Sequence, residues 1–153
     1  MGSRRKGREC ALQILYQLET LPNFSGSDEV ISPAHIQQIT EQFFINFDAP
    51  AEIFDYASSL VRGTYSNLKH IDQTIAEHSA KWRLDRMAIV DRNVLRIATY
   101  ELIFSLDLPL SIIMDEAIEI AKRFGNERSP AFINGILDGI ASDVRKTQGG
   151  KKK

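Results

Sequence analysis

The chain has 153 residues, about the length of one domain, and its 19 basic and 20 acidic residues give a formal net charge of -1. This balance excludes a generally basic nucleic-acid binder, but a local basic patch is enough to attract phosphate. The single cysteine excludes an intramolecular disulfide framework, and no apolar run reaches the roughly 18 residues of a membrane span. No signal-peptide pattern follows the basic start either, so we expect a cytosolic protein.

The N-terminus combines a basic segment with an amphipathic helix. The basic segment contains Arg4, Arg5, Lys6 and Arg8, and the apolar stripe after it contains Ala11, Ile14, Leu15 and Leu18. The spacing of this stripe predicts a helix that places Gln13 and Tyr16 on its opposite face. Two interpretations follow: the cations form a solvated end, or they form an arginine-rich arm that orders on RNA while Tyr16 stacks on a base.

Capping and breaking signals divide the middle of the chain. Ser32 before Pro33 predicts the start of a helix. Further along, helical spacing continues over residues 53–75, which is long for one globular helix. Gly63 and the Ser-Asn pair at 66–67 are candidate breaks, so we expect either a bent helix or two helices with a tight join.

The densest helical signal covers residues 81–106 and marks the expected centre of the core. Its apolar residues share one half of the helix circumference and include Val94, Leu95, Ala98 and Leu102. Asp91 lies near the middle of this half, and Glu101 lies inside its edge. Both carboxylates need an explanation, because an ionised group in a core requires a partner.

Two further helices are expected towards the C-terminus, the last of them starting near residue 129. Gly135 and Gly139 lie beside the apolar face of this last helix, where each costs roughly 1 kcal/mol relative to alanine. The two glycines indicate either close packing against another helix or a docking surface. Such a surface would be formed by Phe132 and the loop 125–129, with the N-terminus of the helix available to a phosphate.

No window of alternating apolar residues supports a strand, so the expected fold class is all-α, with six or seven helices packed as bundles. The three histidines are too widely spaced to form a paired metal site, and we expect no metal and no cofactor. Cys10 is a lone residue on a helix without an evident base, and no glycine-rich cofactor loop follows a strand. We therefore expect no enzymatic activity.

Four segments together resemble the NusB family of bacterial transcription antitermination factors. They are RECALQILYQL at 8–18, VLRIATYEL at 94–102, DEAIEIAKRFG at 115–125 and SPAFINGILD at 129–138. Their order and spacing carry the resemblance, which covers nearly the whole chain. The resemblance implies an all-α fold of two three-helix bundles packed at an angle.

The resemblance also implies a domain organisation and a function. We expect one NusB-like helical domain over residues 1–148, with an N-terminal bundle at about 8–79 and a C-terminal bundle at about 80–146. Residues 147–153, which end in three lysines, are expected to form a disordered basic tail. The implied function is to bind boxA RNA of ribosomal RNA operon transcripts together with NusE, a small ribosomal subunit protein. The resulting antitermination complex helps RNA polymerase to resist termination.

Carried over position by position, the family's RNA contacts fall on Arg4, Arg5, Lys6, Arg8, Tyr16 and Phe132. From the residues of this chain we also expect Gln13, Lys122 and Arg128 to contact RNA. The NusE contact falls on Asp91, with Arg92 and Arg96 beside it; alternatively, Asp91 caps a helix that restarts there. The chain departs from the family at Ala131, where some members have lysine, and at Arg128, where some have an acidic residue.

Other interpretations fit the same pattern. One is a helical adaptor that binds only proteins, in which the basic segment is simply a charged end exposed to solvent. The helical domain also resembles the N-terminal region of a class of rRNA cytosine methyltransferases, but we expect no catalytic domain because the chain ends before one could follow. The sequence leaves monomer and homodimer as alternatives, and it indicates no membrane partner.

Overall fold

The all-α expectation is confirmed by a computed structural model, which describes residues 2–20, 31–79 and 83–151, with side chains up to Thr147. These ranges contain seven α-helices, one short 3₁₀ turn at Leu84–Arg86 and no strand. The helices are α1 (Gly2–Glu19), α2 (Pro33–Ile45), α3 (Ala51–Ser66), α4 (Leu68–Glu77), α5 (Ile89–Phe104), α6 (Leu110–Phe124) and α7 (Ser129–Lys151).

Helices α1, α2 and α3 form the N-terminal unit. The predicted inner stripe of α1 is confirmed, since its four apolar residues are all buried. The helix begins at Gly2, earlier than the expected start after residue 8. Ser3 fixes this first turn, because its hydroxyl donates a hydrogen bond of 3.0 Å to Glu52 Oε1 on α3. The basic segment is therefore helical in the free chain.

The start of α2 follows the predicted capping pattern. Ser32 is the N-cap, its hydroxyl accepts a hydrogen bond of 3.1 Å from the His35 N–H, and Pro33 occupies the first turn. Near the end of α2, Phe43 and Phe44 pack against the buried core around Cys10. The N-terminal core therefore combines aliphatic residues of α1 with aromatic residues of α2.

The long helical pattern over 53–75 forms two helices, which is the second of the two expected outcomes. The break falls at Asn67, whose side-chain amide donates to the Gly63 carbonyl at 2.8 Å and closes the end of α3. The chain divides into two units between Asn67 and Leu68, rather than near residues 79 and 80. Helix α4 belongs to the C-terminal unit because it packs on α5 and α7, and the two units together hold the seven helices of the described ranges.

Helix α5 is the centre of the C-terminal unit and packs against α4, α6 and α7. The expected helix over 81–106 instead begins at Ile89, after the 3₁₀ turn. The predicted inner residues Val94, Leu95, Ala98 and Leu102 are buried. Arg96 and Thr99, which the helical wheel places on the polar side, are buried as well. Because neighbours cover several of its faces, α5 has almost no solvent-facing stripe.

The C-terminal helix is longer than expected. Helix α7 continues to Lys151, past residue 147, where the sequence predicts the start of a disordered tail. No glycine or proline interrupts it between Ile140 and Gln148, and several of these residues favour helix. None of the helices in the described ranges is long and apolar enough to cross a membrane.

Candidate functional site

The basic segment of α1 contains both exposed and buried cations. Arg4 and Arg5 are exposed and Lys6 is half-buried, whereas Arg8 is only 3% exposed. Lys6 Nζ lies 5.1 Å from the centroid of the Phe47 ring and 3.9 Å from Glu9 Oε1. The structure therefore presents Arg4, Arg5 and Lys6 to solvent and places Arg8 inside the N-terminal unit.

Tyr56, on α3, is a residue of this site that the sequence patterns do not identify. Its ring centroid lies 5.5 Å from Arg4 Cζ and 5.6 Å from Arg8 Cζ, within the range of cation–π contacts. Arg4 and Arg8 are one helical turn apart, so they project from the same face of α1. No periodic signal marks Tyr56, because the contact depends on how α3 packs against α1.

The remaining predicted RNA contacts of the N-terminal unit lie one to two turns further along α1. Gln13 is half-buried, and Tyr16 is exposed over 44% of its surface. An exposed tyrosine ring offers a face on which an unpaired base can stack. The prediction that Tyr16 lies away from the apolar stripe is confirmed.

The C-terminal unit holds the other three predicted RNA contacts. Lys122 is exposed, and its Nζ lies 3.3 Å from Glu119 Oε1. Arg128 is exposed and Phe132 is half-buried; the two stand one turn apart, with the Phe132 N–H donating to the Arg128 carbonyl at 3.1 Å. The start of α7 therefore brings a cation and an aromatic ring together.

Asp91 lies in the first turn of α5 and is only 8% exposed. It is not the cap of the helix, since the N-cap position is occupied by Ala88. Its Oδ1 instead accepts a hydrogen bond of 2.6 Å from the hydroxyl of Ser129, the first residue of α7. The carboxylate that looks misplaced in the sequence thus joins the beginnings of two helices.

The two arginines that follow Asp91 also have partners within the C-terminal unit. Arg92 Nη1 donates to the carbonyls of Leu84 and Met87 at 3.0 and 3.1 Å, and thereby joins the 3₁₀ turn to α5. Arg96 forms a bidentate pair with Asp72 on α4, with distances of 2.8 and 2.9 Å. The arrangement holds α4 and the 3₁₀ turn against α5.

The two glycines of α7 have different surroundings. A Cβ at Gly139 would lie 2.8 Å from His78 Cδ2, so this glycine allows the imidazole of His78, the residue after α4, to approach the backbone of α7. A Cβ at Gly135 would meet nothing within 4 Å. Close helix packing therefore explains Gly139, whereas Gly135 lies on the exposed side of the helix.

Cys10 and the His, Asp and Glu side chains are the residues to consider for covalent or metal chemistry. Burial raises the pKa of the Cys10 thiol, an effect opposed by nearby Lys6 and assisted by Glu9, and a buried protonated thiol is a poor nucleophile. Among the residues that the structure describes, no three His, Cys, Asp or Glu side chains lie close enough together to hold a metal ion.

These features define an all-helical protein of two units, each with exposed cations and aromatic side chains. A family model described as the NusB family matches residues 5–142. The chain belongs to the NusB family. This assignment agrees with the expected all-α fold and with the expectation of a non-enzymatic protein.

Relatives with similar sequences cover nearly the whole chain. The transcription antitermination protein NusB of Geotalea uraniireducens is 46% identical over 147 residues, which are 93% of this chain and 96% of that protein. The transcription antitermination protein NusB of Myxococcus xanthus is 43% identical over 148 residues, which are 95% of this chain and 99% of that protein.

Solved structures share the fold. T. maritima NusB superposes with a TM-score of 0.75 at 42% identity, covering 91% of this chain and 90% of that one. A second similar chain comes from a crystal structure of the antitermination factors NusB and NusE in complex with dsRNA. It has a TM-score of 0.73 at 24% identity and covers 94% of this chain and 98% of that one, and at this identity it supports the fold alone.

Proposed function

We propose that this protein is a transcription antitermination factor that binds boxA RNA of ribosomal RNA operon transcripts together with NusE. The observation that carries the proposal is the match of residues 5–142 to the NusB family. Relatives that are 43–46% identical to this chain are named transcription antitermination protein NusB. The complex then helps RNA polymerase to resist termination in the cytoplasm. The protein acts by binding, without a chemical step.

The exposed cations of α1 support the RNA-binding part of the proposal. Arg4, Arg5 and Lys6 contact phosphates, and each contact releases counterions, so the affinity falls as the salt concentration rises. Tyr16 stacks on an unpaired base, and Gln13 provides hydrogen bonds at the edge of this surface. Arg8 contributes from the interior, by packing rather than by direct contact with RNA.

The C-terminal unit supplies a second set of contacts. Lys122 and Arg128 contact phosphates, while the half-buried ring of Phe132 stacks on a base. Arg128 compensates for the lysine that is absent at Ala131, since the two positions are near each other at the start of α7. We propose that a cation is kept in this loop, at a different position from the lysine that some members of the family have.

The proposed NusE surface includes the start of α5. Asp91 and Arg96 are buried in the free chain, so we propose that they act by holding α7 and α4 in place, and that Arg92 shapes the adjoining turn. In the solved structure of NusB and NusE in complex with dsRNA, a protein of the same fold is bound to both partners, and we propose the same pair of partners for this chain. Binding of NusE then raises the affinity for RNA, and RNA raises the affinity for NusE by the same factor. A homodimer would compete with these partners if it covers the basic segment.

The proposal is tested by measuring binding to boxA RNA and to a scrambled RNA of equal length, with and without NusE, at two salt concentrations. We expect preference for boxA, an increase in affinity with NusE, and a fall in affinity at higher salt. Equal affinity for the two RNAs in the presence of NusE would reject sequence-specific binding and favour the protein-only adaptor. Size-exclusion chromatography with light scattering on the same samples distinguishes the monomer from the homodimer.

A further inference from the structure

Tyr56 is the one aromatic ring in the described residues that contacts two arginines of the basic segment. Arg4 is exposed and Arg8 is buried, with Cζ atoms at 5.5 and 5.6 Å from the ring centroid. The half-buried ring thus spans the distance between the interior of the N-terminal unit and its cationic surface. The proposed function does not use Tyr56 as a contact, so this arrangement needs another explanation.

Gly7 shows how closely α1 approaches this ring. A Cβ at position 7 would lie 2.7 Å from Tyr56 Cδ2, closer than side-chain carbons approach one another, and 3.4 Å from Tyr56 Cβ. Glycine in a helix interior is otherwise unfavourable, since alanine is better by about 1 kcal/mol. Because Gly7 has no side chain, the Tyr56 ring lies directly against the backbone of α1.

A second contact next to the ring fixes the same part of α3. Glu52 is one turn before Tyr56 and accepts the hydrogen bond from Ser3, the residue before Arg4. The hydrogen bond of Ser3 and the close approach of Tyr56 at Gly7 therefore place α1 against α3 on both sides of Arg4. A long arginine side chain loses freedom when its guanidinium is attracted to an aromatic face, and this leaves it preorganised for a ligand.

We propose that Tyr56 is a positioning residue for RNA binding and acts by holding the guanidinium of Arg4 on the surface of α1. This inference rests on the proposed RNA-binding function and deepens it. The buried guanidinium of Arg8 packs on the same ring and fixes its position from the interior. Tyr56 therefore affects RNA affinity through Arg4, without needing to touch the RNA.

The inference is tested with a double-mutant cycle in the full-length protein, using boxA RNA alone as the probe. Tyr56→Leu removes the aromatic face, and we expect it to weaken binding by about two- to fivefold, the range of an exposed cation–π contact. In an Arg4→Ala background, the same substitution should change the affinity very little. Tyr56→Phe keeps the ring and should restore binding to near the wild-type value.

Controls separate this role from general destabilisation. Tyr100→Leu removes another half-buried tyrosine, from the C-terminal unit, and its effect on RNA affinity should be small. Circular dichroism and urea unfolding establish that each variant folds. If Tyr56→Leu does not fold, Tyr56→Met takes its place, since the flexible thioether side chain refills the space without an aromatic face.

Two results would overturn the inference. One is an equal loss of affinity from Tyr56→Leu with and without Arg4, and the other is a loss in Tyr56→Phe as large as in Tyr56→Leu. Wild-type protein that binds boxA and scrambled RNA equally in the presence of NusE would instead reject the proposed function. Wild-type preference for boxA, combined with unchanged affinity in Tyr56→Leu, would reject only the role of Tyr56.

Discussion

The hydroxyl of Ser129 donates a hydrogen bond of 2.6 Å to the carboxylate of Asp91, 38 residues earlier in the chain. The same hydroxyl accepts a hydrogen bond of 3.0 Å from the Asn126 N–H. Ser129 thus links the loop before α7 to the first turn of α5.

Ser129→Ala should lower the free energy of unfolding by about 1–3 kcal/mol, because it leaves a buried carboxylate without this donor. Urea unfolding of the variant and the wild-type protein measures the loss. Ser111→Ala, which changes an exposed serine of α6, provides the control and should alter stability much less. Equal stability of Ser129→Ala and wild type would show that the hydrogen bond contributes little.

Asp91→Ala distinguishes the two roles that the sequence leaves open for this carboxylate. Since Asp91 is buried and bonded to Ser129, we expect a clear loss of stability with a smaller change in NusE affinity at a temperature where the variant is folded. Calorimetric titration with NusE measures the affinity, and urea unfolding measures the stability. A large loss of NusE affinity with unchanged stability would assign Asp91 to a direct contact.

The pair of buried Arg96 and half-buried Asp72 predicts that their mutations are non-additive. Asp72→Ala leaves the guanidinium of Arg96, which is 4% exposed, without its bidentate partner and should cost about 3–5 kcal/mol. The double variant Asp72→Leu with Arg96→Met should be considerably more stable than Asp72→Ala, because neither charge remains buried. Denaturant unfolding of the three proteins provides the comparison, and simple additivity would contradict the expected coupling.

His78 predicts a dependence of stability on pH. Its Nδ1 lies 2.9 Å from the Thr74 carbonyl oxygen and its Nε2 lies 2.8 Å from Asp143 Oδ2. A doubly protonated imidazole donates to both acceptors, whereas a neutral ring has only one N–H. The Thr74 carbonyl is the main cause that raises the pKa of His78 above its ordinary value of 6.5; Asp143 and Glu77 assist, and partial burial opposes.

Because the pKa is raised by folding, the stabilisation from His78 is complete below about pH 6.5 and is lost as the pH rises through the higher folded value. Wild type should therefore exceed His78→Gln in free energy of unfolding by more at about pH 5.5 than at about pH 8.5. Urea unfolding of both proteins at each pH measures this difference in the free energy of unfolding. His35→Gln, which changes an exposed histidine, is the matched control. A difference that does not vary with pH would contradict this assignment.

Arg5 predicts a change in the salt dependence of RNA binding. Arg5→Ala removes one exposed cation, so the affinity for boxA should fall and the slope of log affinity against log salt should decrease by about 0.7, the value for one contact to a single strand. The control is Lys69→Ala, which removes an exposed cation outside the proposed RNA contacts. Unchanged affinity and slope in Arg5→Ala would remove this residue from the RNA surface.

Local patterns in the sequence predict much of the fold. The inner stripe of α1 and the cap at Ser32 depend on residues within one or two turns of each other, and both are found as expected. The break at Asn67 is also signalled locally. The division of the chain into two units is not signalled locally, because the place of α4 depends on its packing against α5 and α7.

The candidate site is less predictable, since its geometry depends on contacts between distant helices. The sequence identifies the cations of α1, but the burial of Arg8 follows from the approach of Tyr56 on α3. Likewise, Arg96 lies on the polar side of a helical wheel, yet its partner Asp72 is 24 residues earlier on another helix. A single sequence carries no direct signal for such pairs.

The early start of α1, at Gly2, alters the thermodynamics expected for RNA binding. An arm that folds only on RNA loses about 1–2 kcal/mol of backbone conformational entropy for each residue that it orders. Here Arg4 and Arg5 are already in a helix before any ligand arrives. Association therefore leaves most of the backbone entropy of this segment unchanged, and the measured heat of binding reports on phosphate contacts and base stacking instead of on folding.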